Sequence, residues 1–211
     1  MLAKKWDSDP IRTMKRLIST LFIVFVAFGA NSQVGFKADA LLGASFFQVD
    51  GDHFAGYNKL GASFGMAVHA PIKDELGLGF EILYTQKGSK RKVNPEHPNP
   101  PIFILQYDYL EVPVVLTRTQ NDFRFEVGLS YGVNVKAELD QGGGFVETTI
   151  NKGETAYLLG VAYQFSEHSS LGVRHQQSLF RVGNNYQNGI NIFNRIGLYN
   201  RGFVVQYRYS L

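Results

Sequence analysis

From Val34 to the C-terminus, apolar and polar residues alternate in steps of two, and no sustained helical period appears. Leu60, Ala62, Phe64, Met66 and Val68 fall on one side of an extended chain, with Gly61, Ser63, Gly65, Ala67 and His69 on the other. Leu76, Leu78, Phe80, Ile82 and Tyr84 repeat the pattern against Gly77, Gly79, Glu81, Leu83 and Thr85. Phe123, Phe125, Val127, Leu129, Tyr131 and Val133 oppose Arg124, Glu126, Gly128, Ser130 and Gly132, and the run from Phe203 to Leu211 behaves alike. A period of two is that of a strand with two unlike faces. It predicts eight strands, near 34–44, 60–70, 76–87, 107–117, 123–136, 155–165, 171–180 and 199–211. Each is close to the ~9–11 residues with which a tilted strand crosses a bilayer.

The connections alternate in length. Those at 45–59, 88–106, 137–154 and 181–198 are long, and those at 71–75, 118–122 and 166–170 are short. Long loops at one end and tight turns at the other are the topology of an outer-membrane barrel. One predicted face carries Leu, Val, Phe and Tyr; the other carries Gly, Ser and the charges Lys37, Asp39, Glu81, Glu111, Arg124, Glu126, Arg174 and Arg208. A soluble sandwich or lipocalin would turn the apolar face inward, whereas a transmembrane barrel turns it out to lipid. Alternation by itself fits both. Loop lengths, the even strand count and the glycines of the polar face select an eight-stranded antiparallel up-and-down transmembrane β-barrel. Tyr84, Tyr131, Tyr163 and Tyr209, near strand ends, suit aromatic girdles at the two interfaces.

The N-terminal segment points to the same compartment. Lys15 and Arg16 precede an apolar run from Leu17 to Phe28, and small residues Ala30 and Ser32 follow. This is the arrangement of a cleaved signal peptide, too short for a membrane-spanning helix. The expected division is a leader at 1–32, with Met14 the natural start and cleavage between Ser32 and Gln33, followed by the barrel at 33–211. The formal net charge of +3 falls within the leader, where Lys4, Lys5, Arg12, Lys15 and Arg16 outnumber Asp7 and Asp9. The remainder is neutral and lacks the electrostatic footprint of a nucleic-acid binder. With no cysteine, disulfides and thiolate chemistry are excluded.

The runs LGLGFEILYTQKGSK (76–90), YLEVPVVL (109–116), FEVGLSYGVNVKAEL (125–139), YLLGVAYQF (157–165) and SLGVRHQQSL (170–179) together resemble the PorT-like outer-membrane barrels of Bacteroidota, relatives in shape of the OmpA and OmpX barrels. The most specific pieces are Glu81–Gly88 and Tyr109–Pro113. His175 stands where that family usually has tyrosine, and Leu211 closes the chain without the common terminal aromatic. The resemblance implies a barrel and lends no general activity; some such proteins serve a type IX secretion system.

Chemistry is sought first among the inward charges. An eight-stranded barrel has an interior just wide enough for side chains to fill, and charges within it must pair. Lys37, Glu81, Glu111, Arg124, Glu126, Arg174 and Arg208 are therefore expected to form a structural salt-bridge cluster, with Glu81 and Glu111 at similar heights on neighbouring strands. Paired carboxylates can hydrolyse glycosides, but a packed lumen has no room for a sugar. Arg174-His175-Gln176-Gln177-Ser178 invites comparison with barrel lipid A deacylases, whose histidine and serine share the lipid face. Here His175 and Ser178 are three apart, so a regular strand sends them to opposite faces. His53 and His97 lack metal-site spacing. Loop cations Lys87, Lys90, Arg91 and Lys92 offer a rim for lipopolysaccharide phosphates, or simply a solvated hairpin end, and the Asn- and Gly-rich stretch 184–194 is ordinary turn chemistry or a binding loop.

The expectation is a non-enzymatic outer-membrane barrel with a structural or interaction role at the envelope, such as that of an accessory of a type IX-like secretion machine, without cofactor or metal. Its expected partners are outer-membrane lipid and lipopolysaccharide, the barrel-assembly machinery during biogenesis, and an envelope protein. A narrow channel for ions or small solutes is the alternative, followed by a lipid-modifying enzyme. Long loops are expected outside the cell and both termini in the periplasm.

Overall fold

The computed structural model describes residues 35–52, 54, 56–91, 102–183 and 197–211. Phe36–Leu211 form one compact unit. The expected leader, its cleavage site at Ser32 and Gln33, and the loop residues His53, His97 and 184–194 lie outside the described residues.

The strands are β1 (Lys37–Asp50), β2 (Lys59–Lys73), β3 (Leu76–Lys90), β4 (Ile104–Gln120), β5 (Phe123–Asp140), β6 (Phe145–Glu147), β7 (Gly153–Gln164), β8 (Ser169–Ser178) and β9 (Tyr199–Ser210). Every pairing between them is antiparallel. Eight of them form a closed ring, β1-β2-β3-β4-β5-β7-β8-β9, sealed where β9 meets β1 from Asp39↔Ser210 to Asp50↔Tyr199. Closure leaves no unpaired edge in the ring, as hydrocarbon requires. The short β6 lies outside it, on the upper end of β5. Two of the short turns place a non-glycine residue in the left-handed region, Asp74 (φ 46°) and Asn121 (φ 53°). Asp and Asn tolerate that conformation better than other residues with a Cβ.

The apolar sides of the strands face outward. Leu42, Leu60, Met66, Ile82, Val127, Leu129, Leu159, Leu171 and Val173 are exposed around the circumference. Such a belt far exceeds the apolar patches tolerated by a water-soluble monomer and matches a surface solvated by lipid. Aromatic pairs bound it at both ends. Phe123–Tyr163 (5.2 Å) and Phe165–Tyr207 (6.4 Å) lie at the short-turn end, Phe64–Tyr84 (5.1 Å) at the long-loop end.

Several strands run further than the alternation predicts: β3 to Lys90, β4 from Ile104 and β5 to Asp140. The reason on β5 is a bulge. Tyr109 pairs with Asn134 but Asp108 with Lys136, leaving Val135 over. Below the bulge, Glu126 and Ser130 point inward; above it, Ala137 and Leu139 do. One extra residue inverts the parity, so 137–140 no longer continue the pattern set by Phe123–Val133. The Asn134 Nδ2 stitches the site, donating to the carbonyls of Asp108 (3.1 Å) and Lys136 (2.8 Å).

Candidate functional site

The barrel interior is layered. Towards the short-turn end, Arg124, Arg174 and Arg208 meet Asp39, Glu81 and Glu126. Arg174 donates to both oxygens of Glu81 (2.6 and 2.9 Å) and to Glu126 (2.6 Å). Arg208 bridges Asp39 (2.8 Å), Glu81 (3.0 Å) and Glu126 (3.3 Å), and Arg124 donates to Glu126 (3.0 Å). The His69 ring closes the layer against Asp39 (3.1 Å) and Arg208. Three guanidiniums thus face three carboxylates. The planar forks engage carboxylates from several strands at once, which a lysine's point charge does less well.

Leu41, Ala67 and Leu83 form a small apolar cluster on the β1–β3 wall beside these charges, and a second polar layer lies nearer the long-loop end. Lys87 donates to Glu111 (2.7 Å) and Glu154 (2.8 Å) and is wholly buried. Gln176 donates to Glu111 (2.6 Å), and Ser178 (2.5 Å) and Asn200 (3.2 Å) to Glu154. The rings of Phe47 and Tyr109 cover the ammonium at 5.3 and 5.0 Å from their centroids, within cation–π range. Beyond it, towards the long-loop end, comes an apolar cluster of Val49, Leu105, Tyr107, Ala137, Val182 and Leu198.

Of the residues singled out in the sequence, Glu81, Arg124, Glu126, Arg174 and Arg208 come together in the lower layer. Glu111 belongs to the upper one. It pairs across the ladder with Leu83, two positions beyond Glu81, so the two carboxylates are not a matched pair, correcting the expectation of equal height. Lys37 is exposed. It shares strand parity with Asp39 but is the first residue of β1, where the lumen opens to solvent, so it stands outside both layers.

Asp39, His69, Lys87 and Glu154 complete the networks; Asp39 and His69 were read on the polar face but not in the cluster, and Lys87 and Glu154 were not placed there from sequence. Lys87 has the parity of Glu81 and Thr85 and closes the expected strand 76–87; its basic neighbours made it look like the start of the loop. Glu154 sits on β7, at the end of a stretch read as a long loop.

His175 and Ser178 occupy opposite faces of β8. His175 lies between Tyr157 (5.8 Å, stacked) and Phe203 (5.1 Å, edge-on) on the outer surface. Ser178 is buried inside, bonded to Glu154 and to the Asn200 carbonyl.

No protein-family model matches the chain, and no curated protein matches it. Among solved structures it is similar to Neisserial surface protein A, with 16% identity and a TM-score of 0.54 over 85% of this chain and 100% of that one. It is also similar to Ail, the attachment invasion locus protein of Yersinia pestis, with 13% identity and a TM-score of 0.48 over 83% of this chain and 98% of that one. The likeness to the neisserial protein is one of fold, and the fold is the closed eight-stranded antiparallel barrel of the bacterial outer membrane.

Proposed function

We propose that this chain is a non-enzymatic, closed outer-membrane barrel of the PorT-like kind, with a structural or interaction role at the cell envelope. Its long loops face outside and both termini face the periplasm. The observation that carries the reading is the interior, which two ion-paired layers fill from several strands at once. A gap beside the lower layer, lined by Arg124, Glu126, Arg174 and Arg208, holds about 10 Å³, the scale of one water. That favours a sealed wall over a channel. The separation of His175 from Ser178 by the barrel wall weighs against a lipid hydrolase.

With the lumen filled, what remains for function is the lipid belt and the long-loop end. The belt contacts lipid and the acyl chains of lipopolysaccharide, and Lys90 and Arg91 lie where its phosphates would meet them. The tall ends of β3, β4 and β5, with the β6 hairpin, offer a surface for an envelope partner; the PorT-like runs at 76–90 and 109–116 support an accessory role in a type IX-like secretion machine. The test is co-isolation of the full chain from outer membranes in mild detergent. We expect a stoichiometric envelope protein, lost when residues 141–152 are replaced by a two-residue turn. Recovery of the barrel alone from membranes in which crosslinking also finds no neighbour would overturn the interaction role.

A further inference from the structure

The long-loop end holds a cavity of about 750 Å³, bordered by Asp52, Phe54, Leu105, Tyr107, Leu139 and Ile150 among others. We propose that this cup is a binding site for a small amphipathic amine, with the apolar body inside the barrel mouth and the ammonium at Asp52. The inference goes beyond the envelope role and stands or falls without it.

The volume is within the range of small-molecule sites, about 300–1,000 Å³, which combine an apolar lining with few polar groups. The floor is the apolar cluster that caps the upper ion-paired layer, with Leu105 and Tyr107 buried and Leu139 and Ile150 packed against it. The bulge at Asp108 and Asn134 makes that floor, since it turns Leu139 inward. The wall is aromatic: Phe54 packs on Phe103 at 4.4 Å, and the Arg91 guanidinium lies over the Phe54 ring at 4.5 Å.

The acid supplies the choice of head group. Asp52 Oδ1 accepts from the Phe54 N–H at 2.8 Å, while the buried Oδ2, with the Ser89 hydroxyl beside it, completes no hydrogen bond. A buried acceptor left unsatisfied is costly. No cation among the described residues forms an ion pair with Asp52. Burial pushes its carboxyl up to about 6, with neighbouring Asp50 adding to the rise. A ligand ammonium would satisfy the carboxylate and offset its charge, while the ligand's body would cover the aromatic and aliphatic walls.

The test uses the full barrel in lipid nanodiscs and three probes with one body: 4-(4-fluorophenyl)butylamine, the matching alcohol and the matching carboxylic acid. Fluorine NMR line broadening at neutral pH, with empty nanodiscs subtracted, reads binding. We expect the amine to bind, with affinity lowered about tenfold or more by Asp52→Asn as the charge-assisted contact is removed. Thr148→Trp, which intrudes on the cup from the exposed β6 side, should abolish it. Heat-modifiability on gels checks that each variant is folded; if Thr148→Trp is not, Thr149→Trp replaces it. Equal binding of amine and alcohol, stronger binding of the acid, or no broadening of any probe beyond the empty nanodisc would overturn the proposal.

Discussion

Arg174 and Glu81, 93 positions apart in sequence, meet inside the barrel through two parallel hydrogen bonds of 2.6 and 2.9 Å. They come from β8 and β3, which are not neighbours in the ring, so their contact spans the lumen. A charge pair in such a place depends on its partner, because desolvation has already removed water from both.

Removing the cation is therefore expected to be costly. Arg174→Leu leaves Glu81 and Glu126 with Arg208 as their one shared donor and should destabilise the fold by about 3–5 kcal/mol. Urea unfolding in bilayers would measure this. Replacing Arg174, Glu81 and Glu126 together by apolar residues should recover much of the loss. A single change costing nothing would remove the ion-paired layer from the account.

The two faces of β5 offer an independent check. Val127 is exposed on the outer wall, and Ser130 is buried inside. Val127→Arg should cost about 2–4 kcal/mol at mid-bilayer depth and impair assembly. Ser130→Ala should be mild, since the Ser130 hydroxyl has no hydrogen-bond partner. Equal effects in a heat-modifiability assay would contradict the inside–outside assignment.

These faces were legible in the sequence because lipid and a filled lumen impose opposite chemistry on alternate residues. The ring strands could be read from that contrast alone. It fades above the bilayer, where water wets the outer wall: Gln86, Gln106 and Lys136 face out there while apolar Leu105, Ala137 and Leu139 turn in. The inversion at Asn134 hid the end of β5, and with it Glu154 on the next ring strand. Lys37 erred the other way. Its parity was right, but parity does not tell how far a residue lies from the mouth of the lumen.

The β5 bulge yields its own prediction. Asn134→Ala removes two side-chain hydrogen bonds to backbone carbonyls, each worth about 1 kcal/mol net. The upper ends of β4 and β5 should lose hydrogen-exchange protection while the belt keeps it. Uniform loss along both strands, or none, would show that the bulge is held by something else.

Asp52 lies beyond β1, outside the spanning strands, and burial pushes its carboxyl up to about 6. An unfolded aspartate titrates near ~3.9, so the folded chain holds this proton more tightly. The resulting stability is fully present below about pH 4 and is lost as pH rises through about 6. Hydrogen exchange of the β1–β2 connection should accordingly show protection falling over that window after correction for intrinsic rates, and Asp52→Asn should flatten the profile. Protection that rose with pH would contradict the buried, neutral acid.

The central claim is that paired charges seal the lumen, and single-molecule conductance tests it most directly. The purified barrel, folded and inserted into a planar bilayer, should give at most rare and small current steps. Arg174→Ala, if it folds, should raise their frequency by opening the lower layer. Steady, ion-selective current from the unmodified protein would contradict the sealed interior and make the chain a channel.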